Sequence, residues 1–287
     1  MQMRQALDFV PTEVREAVLA LEEAEYIEEL RLRRGRRVSC LLRGREQTLS
    51  VLTTQAVMQE TLERAMGQSR YTAQEMLRRG FLPLPGGHRL GLCGTGVYHG
   101  SELYSLRDIS SLNLRVARCV RGVADEVVDH LWTHPQSTLI IGPPGSGKTT
   151  LLRDLIRQLS ERFRFRMAVA DERMELAACV DGKHQFDLGR NTDVLSAIPK
   201  EQAVEMLLRS MNPQWIAVDE ITAAEDVAAI LRASYCGVQF LATAHAYTKE
   251  DLHKRPLYRS LLEAEMFRTL VALDAQRNIR MEGLTNA

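Results

Sequence analysis

A glycine-rich stretch near the middle of the chain has the residue types and the spacing that bind phosphate groups. Residues 142–149 read GPPGSGKT, the pattern GxxxxGK[ST], and lie between an apolar run at 138–141 and an amphipathic stretch at 149–159. Glycines let backbone N–H groups curl around phosphate oxygens, and the following helix contributes the partial positive charge of its N-terminus. The pattern predicts an ATP-binding (Walker A) loop, whose contacting residues would be Gly142, Pro143, Pro144, Gly145, Ser146, Gly147, Lys148, Thr149 and Thr150.

A second apolar run, Trp215–Val218, ends abruptly in two adjacent carboxylates, Asp219 and Glu220. A buried strand that ends in paired acids needs a positive partner, and the glycine loop supplies one if the two strands lie side by side in a parallel sheet. Asp219, as the Walker B acid, would then hold Mg²⁺ together with the Thr149 hydroxyl, while Lys148 contacts the β- and γ-phosphates. Glu220 would polarise the attacking water as general base. The two motifs together predict Mg²⁺-dependent ATP hydrolysis.

Two further strands end in polar side chains that are expected at the same edge of the sheet. The stretch RFRMAVADERMEL carries Asp171, Glu172 and Glu175, which are predicted to reach the γ-phosphate. The open alternative for this cluster is that two of its three acids are simply solvated. The stretch VQFLATAHA ends in Thr243 and His245, and we expect His245 to sense the γ-phosphate through a hydrogen bond unless it is a structural histidine.

The elements that must position these residues follow one another regularly from about residue 123. Their order is helix, strand, glycine loop, helix, and then three strands separated by two helices, which indicates a parallel sheet with helices on both faces. The fold class expected for residues 122–287 is therefore α/β, a RecA-like P-loop NTPase domain with a mainly parallel sheet. Residues 1–121 are expected to form a smaller α+β domain in front of it.

The first domain shows its own pattern of short elements. Strands are expected on both sides of Gly35 and Gly44, where the glycines mark turns, and a strand is expected at 109–118, where apolar and polar residues alternate. The Gly- and Pro-rich stretch 81–98 indicates a β-hairpin. Helices are predicted at 12–23, capped by Thr12, at about 54–67, capped by Thr53 or Thr54, and at 73–79.

Composition excludes several classes of protein. The chain of 287 residues has 37 Lys and Arg against 37 Asp and Glu, so its net charge gives no pull toward nucleic acid or anionic lipid. Its five cysteines lie far apart without a CxxC pair, which favours reduced thiols over a zinc site or disulfides. The beginning of the chain lacks the apolar region of a signal peptide, and no apolar run reaches the length of about 18 residues that spans a bilayer. We therefore expect a cytoplasmic protein that reaches a membrane only through a partner.

The approach to the paired acids, MLLRSMNPQWIAVDEI, resembles the LRxxPDxIxxGEIR signature of the secretion-superfamily ATPases, the hexameric motors of secretion systems and type IV pili. The acids at 171–175 resemble the "Asp box" of that family, and TAHA resembles its "His box". The resemblance covers about 138–246 and adds Arg209 to the candidate catalytic residues. The sequence departs from the signature where Asp219 replaces a glycine and where Thr222 and Ala223 replace Arg-Asp.

A closer resemblance is to the stage III sporulation AA family. It is carried by PGGHRLGLCG, ISSLNLRVAR, GVADEV, GPPGSGKTTLLRDLIRQLS and VADERMELAACVDG…LGRNTDVL, and extends over about 28–245. The resemblance implies a cytoplasmic ATPase in the mother cell of an endospore former, which energises the channel complex between mother cell and forespore. It also implies a homo-hexamer that docks at the membrane on an anchored partner, most simply stage III sporulation protein AB.

ATPases of this fold commonly complete their site with an arginine from a neighbouring subunit. The sequence offers several candidates and does not choose among them, namely Arg89, Arg107, Arg115, Arg118, Arg121, Arg190 and Arg209.

Three other functions compete with that of a secretion motor. An ABC-type ATPase is excluded because the stretch before the second motif, PKEQAVEMLLRSM, has no LSGGQ-like signature. A nucleic-acid-dependent ATPase finds support in RLRRGRR at 31–37, although charge neutrality and the lack of a nearby aromatic stacking motif favour an exposed structural turn. A nucleotide-gated scaffold with little turnover remains the alternative from outside the motor class.

Overall fold

The computed structural model describes residues 2–67 and 80–284, and the helix expected at 73–79 lies outside the described residues. The chain divides into two compact units. The first unit comprises Met1–Arg118 and Ala178–Phe186, and the second comprises Cys119–Ala177 and Asp187–Ala287. The segment 178–186 therefore belongs to the first unit although it lies far inside the second half of the sequence, which a single boundary near residue 121 does not anticipate.

The first unit contains a six-stranded sheet in the order β3-β2-β1-β6-β5-β4, and all of its strand pairs are antiparallel. The expected turns are present, with Gly35 between β1 and β2 and Gly44 between β2 and β3, both at positive φ. Leu112 and Leu114 of β6 are buried, as the alternating pattern predicts. The strands are β1 (Ile27–Arg33), β2 (Arg37–Leu42), β3 (Arg45–Leu52), β4 (Phe81–Pro83), β5 (Arg89–His99) and β6 (Glu102–Arg115).

Three helices accompany this sheet among the described residues, α1 (Gln2–Ala6), α2 (Thr12–Leu19) and α3 (Gln55–Met66). Thr54 caps α3, because its Oγ1 accepts a hydrogen bond from the Val57 amide at 3.2 Å, as predicted. The helix α2 begins at Thr12 as expected, but the cap and the end expected for it are wrong. Thr12 is its first residue rather than its cap, and the helix ends four residues before the predicted end at 23.

The segment 178–186 packs against the turn between β4 and β5. The Gly86 amide donates to Gln185 Oε1 at 2.8 Å, and a Cβ atom on Gly87 would lie 2.5 Å from the Phe186 ring. Both glycines have φ of +79°, so this turn needs glycine for its backbone conformation as well as for the close approach.

The second unit contains a seven-stranded sheet in the order β13-β12-β7-β11-β10-β8-β9. All neighbours are parallel except β12 and β13. The central strands are buried along almost their whole length, which explains their unbroken apolar sequence. The strands are β7 (Thr138–Ile141), β8 (Met167–Asp171), β9 (Thr192–Ser196), β10 (Trp215–Val218), β11 (Gln239–Ala244), β12 (Thr269–Leu273) and β13 (Ile279–Gly283).

The described helices of this unit include those that the sequence predicts between the strands. They are α4 (Asp125–Thr133), α5 (Lys148–Arg162), α6 (Lys200–Met211), α7 (Ala224–Ser234), α8 (Lys249–Lys254) and α9 (Arg259–Glu263). The α/β fold with a mainly parallel sheet is thus confirmed. One expectation is wrong: β10 does not lie beside β7, because β11 pairs with both strands and separates them.

Candidate nucleotide site

The glycine loop follows β7 at the carboxyl edge of the parallel strands, where the acids after β8 and β10 also emerge. A Cβ atom on Gly142 would lie 2.6 Å from Ser146 Oγ and 2.7 Å from the carbonyl oxygen of Leu273, so only glycine fits there. Gly147, the N-cap residue of α5, has φ of +97°, in the left-handed region that favours glycine. Close packing and backbone conformation together explain why the loop has glycines at these positions.

The loop has the properties of an anion cradle. Space is open above Gly145, and the buried Ser146 hydroxyl has no hydrogen-bond partner among the described residues. Lys148 Nζ lies inside the loop, donating to the carbonyls of Gly142 at 2.8 Å and Pro143 at 3.0 Å, and burial lowers the pKa of this lysine. The unpaired Ser146 hydroxyl, the buried Lys148 ammonium and the N-terminus of α5 together are suited to bind a chain of phosphate groups.

The Thr149 hydroxyl and the Asp219 carboxylate meet directly. Thr149 Oγ1 donates to Asp219 Oδ2 at 2.9 Å, and Thr243 Oγ1 donates to Asp219 Oδ1 at 2.6 Å. Burial raises the pKa of Asp219, the two threonine hydrogen bonds oppose the rise, and the charges of Glu175 and Glu220 add to it. Hydroxyl and carboxylate oxygens are the hard donors that Mg²⁺ prefers, so this pair fits that ion.

Glu220 is held in an uncommon conformation between two side chains. Its φ of +54° is left-handed, which is rare for a residue with a side chain and recurs at functional sites. Its Oε1 lies 2.9 Å from His245 Nε2, and its Oε2 forms an ion pair with Arg173. His245 Nδ1 lies 3.3 Å from Lys148 Nζ. Because an ammonium only donates, Nδ1 is the acceptor and the histidine proton is on Nε2, directed at Glu220.

The acids that follow β8 are divided among different tasks. Asp171 accepts hydrogen bonds from the amides of Glu175, Leu176 and Ala177 at 2.8, 3.0 and 2.9 Å, so both of its oxygens hold its own loop. Glu172 pairs with Lys200 of α6 at 2.5 Å. Within this cluster, Glu175 is the acid whose charge acts on Asp219.

Two arginines that the sequence analysis did not single out also lie in this part of the molecule. Arg173 contacts Glu220, and it is the one basic residue inside the acidic stretch DERMEL, a signal that was available in the sequence. Arg153 lies one turn after Thr149 on α5 and donates to the carbonyls of Glu175 at 2.7 Å and Leu176 at 3.0 Å. Arg153 thus connects the helix of the glycine loop to the loop after β8.

Arg209 does not reach the site of its own chain, which corrects its place among the candidate catalytic residues. It lies in the last turn of α6, 82% exposed, with Glu205 at 3.8 Å. The chain passes from α6 into β10, so the end of this helix lies at the amino edge of the strands, opposite the glycine loop. The amino edge also holds a cavity of about 370 Å³, lined in part by Pro135, Phe165 and Trp215.

The other arginine candidates all have partners within their own unit. Arg121 pairs with Asp187 at 2.8 Å and Arg190 with Glu161 at 2.9 Å. The remaining four are engaged by an acid, a backbone carbonyl or an aromatic ring, and they are Arg89, Arg107, Arg115 and Arg118.

The arginine-rich stretch 31–37 is largely committed to its own sheet. Arg31 pairs with Glu29 at 2.6 Å, Arg33 contacts Glu46 at 3.4 Å, and Arg37 donates to the carbonyl of Ser50 at 3.0 Å. These contacts favour the structural turn over a nucleic-acid interface. Within 2–67 and 80–284, no helix is long and apolar enough to cross a membrane.

The fold and the site define the class of protein to which the chain belongs. The chain resembles the Legionella pneumophila ATPase DotB with a TM-score of 0.60 at 17% identity, over 91% of this chain and 77% of that one. It resembles the pilus retraction motor PilT, solved with bound ADP, with a TM-score of 0.58 at 17% identity, over 91% and 76% of the two chains. The chain therefore has the RecA-like P-loop fold of secretion ATPases.

Residues 2–286 match the protein family described as "Sporulation stage III, protein AA". The chain is also 38% identical over 272 residues to "Stage III sporulation protein AA" of Bacillus subtilis (strain 168), which covers 92% of this chain and 89% of that protein. The protein belongs to this sporulation family, and the resemblance predicted from the motifs is confirmed.

Proposed function

We propose that this protein is a Mg²⁺-dependent ATP hydrolase that works as a motor in sporulation. The observation that carries the proposal is the contact between Thr149 and Asp219 at 2.9 Å, beside the buried ammonium of Lys148. A lysine and a hydroxyl at the start of α5 and a carboxylate at the end of β10 converge where the glycine loop opens onto the helix N-terminus. Such a set of groups binds a metal-bound triphosphate.

Each side chain of the proposed site has a distinct role. The amides of 145–150 and Lys148 bind the phosphates, and Thr149 and Asp219 hold the ion. When bound, Mg²⁺ neutralises negative charge on the phosphate oxygens. Glu220 accepts the proton of the attacking water, and His245, which directs its Nε2 proton toward Glu220, orients that carboxylate.

The contacts of Glu220 suggest how turnover is restrained before nucleotide binds. Its two oxygens are occupied by His245 and Arg173, so a water molecule competes with both for the carboxylate. Lys148, which contacts His245 and two loop carbonyls, must exchange these partners for phosphate oxygens. We propose that this exchange removes the contact between Lys148 and His245 and lets His245 reorient the Glu220 carboxylate, which links phosphate binding to activation of the base.

The proposed cellular role follows from the family rather than from the geometry. The ATPase would act in the cytoplasm of the mother cell and energise the channel complex that joins it to the forespore. We propose that it assembles as a homo-hexamer and is peripheral to the forespore-facing inner membrane. Its proposed membrane partner is stage III sporulation protein AB.

The proposal is tested by measuring nucleotide binding and phosphate release on the same samples of full-length protein. Lys148→Ala should abolish both, because the loop loses its buried cation. Glu220→Gln should retain ATP binding and lower phosphate release by about 10²-fold or more, which is typical of the loss of a general base. Light scattering with and without ATP shows whether a ring forms.

Matched controls are Lys254→Ala and Glu225→Gln, which change exposed residues of α8 and α7 and should leave both measurements unchanged. Normal hydrolysis by Glu220→Gln would show that the assigned base is wrong. ATP binding without measurable phosphate release from the unchanged protein would favour the nucleotide-gated scaffold over the motor.

A further inference from the structure

The turn between β12 and β13 leaves the sheet beside the glycine loop. β12 pairs in parallel with β7, with Ala272 opposite Ile141, so both strands end at the same edge. The contact is close, because a Cβ atom on Gly142 would lie 2.7 Å from the Leu273 carbonyl oxygen and 3.3 Å from Leu273 Cβ. The residues that follow Leu273 are therefore next to the loop that is proposed to bind phosphate.

This turn is held in one conformation by Asp274. Its Oδ1 accepts from the amides of Gln276 and Asn278, both at 2.8 Å, and its Oδ2 accepts from Asn278 Nδ2 at 2.7 Å. The Arg277 amide donates to the Asp274 carbonyl at 3.1 Å. Arg277 has φ of +70°, so the turn keeps an arginine in a left-handed conformation that side chains rarely adopt.

The side chain of Arg277 lies over the glycine loop. Its Cδ would be 4.0 Å from a Cβ atom on Gly147, the residue immediately before Lys148. The residue is exposed, and its guanidinium has no ion pair or side-chain hydrogen bond with the part of the chain that the structure describes. A rigid turn therefore presents an unpaired cation within reach of a bound nucleotide.

The order of the strands decides which part of the nucleotide Arg277 can meet. β7 lies between β11 and β12. Asp219, Glu220 and His245 follow β10 and β11 on one side, whereas Arg277 follows β12 on the other. Because the acids take the γ-phosphate end, the nucleoside must extend over the opposite side of the loop.

We propose that Arg277 binds the nucleoside part of the nucleotide, with its guanidinium against the face of the base. This inference rests on the proposed function of the site and deepens it. A guanidinium stacks well on aromatic planes. Arg277 loses little conformational freedom on binding, because its guanidinium is planar and the turn already fixes its backbone. Arg277 is a binding residue in this proposal and takes no part in the chemical step.

The experiment compares ADP with inorganic tripolyphosphate, which has phosphates and no nucleoside. Binding of both is measured by calorimetry to the full chain, to Arg277→Asn and to the matched control Arg280→Asn, which changes an exposed arginine of β13. Asparagine is chosen because it tolerates the left-handed conformation. We expect Arg277→Asn to weaken ADP binding by about tenfold, the size of a partly desolvated cation–π contact. Tripolyphosphate binding and the Tm should not change.

The other outcomes overturn the proposal in distinguishable ways. Equal weakening of ADP and tripolyphosphate would identify Arg277 as a phosphate contact, and unchanged ADP binding would show that it is no contact at all. Both results leave the proposed function of the glycine loop standing. Unchanged protein that binds neither ligand would overturn the proposed function and this assignment together.

Discussion

The burial of Asp219 in the candidate site lowers the stability of the folded protein, because it disfavours the charged carboxylate. Asp219 is partly buried, and the two hydrogen bonds from Thr149 and Thr243 only partly offset the burial that raises the pKa of its carboxyl. The nearby charges of Glu175 and Glu220 further oppose ionisation of Asp219. A bound cation removes this conflict, so the residue is best accommodated when the site is filled.

We expect Asp219→Asn to raise the Tm of the nucleotide-free protein, by an amount that grows with pH. The raised pKa means that the neutral carboxyl is favoured in the folded state. The neutral carboxyl of Asp219 contributes its full stability below the pKa of an aspartate in the unfolded chain, about 3.9. This stability is lost as the pH rises through the higher pKa of the folded state. Asparagine stays neutral at every pH and does not lose it. Each kcal/mol added to the free energy of unfolding by the substitution should raise the Tm by about 2–4 °C. Thermal unfolding at pH 5 and pH 8 measures this change.

Adding Mg·ATP provides the control for this prediction. It should stabilise the unchanged protein by mass action and have much less effect on Asp219→Asn, which lacks the charge that holds the ion. A Tm difference that stays constant with pH would show that ionisation of Asp219 does not limit stability.

The residues at the site were largely foreseeable, and their partners were not. The spacing GxxxxGK[ST], the paired acids and the strand that ends in TAHA predicted that Thr149, Asp219, Glu220 and His245 lie together, which they do. The pairing of Glu172 with Lys200 was not predictable, because it depends on how α6 packs beside β8. A cluster of like charges in a sequence does not reveal which members turn toward the site.

Among the elements, the loop after β8 is organised by side chains from two directions. Asp171 binds three consecutive amides of the loop, and Arg153 of α5 binds the carbonyls of Glu175 and Leu176. The loop therefore depends on the helix that begins at the glycine loop. It also leads directly into the segment 178–186, which belongs to the first unit.

We expect Asp171→Ala to destabilise the protein by about 3 kcal/mol, because it leaves buried amides without an acceptor. Urea unfolding measures the loss, and hydrogen exchange should accelerate at the amides of Glu175, Leu176 and Ala177. Asp193→Ala, which removes an exposed carboxylate of β9, is the matched control and should change stability by less than about 0.5 kcal/mol. Unchanged exchange at the three amides would contradict the role given to Asp171.

At the scale of the whole molecule, the chain passes between its two units three times, after 118, 177 and 186. The first unit is thus completed by residues that are synthesised after the glycine loop. Phe186 is 5% exposed and its ring lies against Gly87, where no side chain would fit. Neither unit corresponds to one continuous piece of sequence.

We expect Phe186→Ala to cost about 3–5 kcal/mol in the free energy of unfolding, as for other buried aromatic side chains. Urea unfolding followed by a probe in the first unit measures it. Tyr235→Ala is the matched control, since that aromatic side chain is 86% exposed and its removal should have little effect. A loss as small as that of the control would show that the segment 178–186 is dispensable for the first unit.

The sequence by itself determined the class of fold and the position of the glycine loop that is proposed to bind phosphate. Both depend on local patterns: apolar runs of strand length, helical periodicity, and glycines at fixed spacing before a helix. Such patterns extend over a few neighbouring residues and do not depend on the order of the strands in the sheet. The strand Trp215–Val218 and the acids that end it could for this reason be predicted to the residue.

Only the tertiary structure decided the order of the strands, and with it the neighbours of the site. It placed β11 between β7 and β10, brought the turn with Arg277 beside Gly147, and kept Arg209 at the opposite edge. These outcomes depend on pairing between segments that are distant in sequence. Their free energy comes from burying whole strands and helices against one another, which no local pattern of residues encodes.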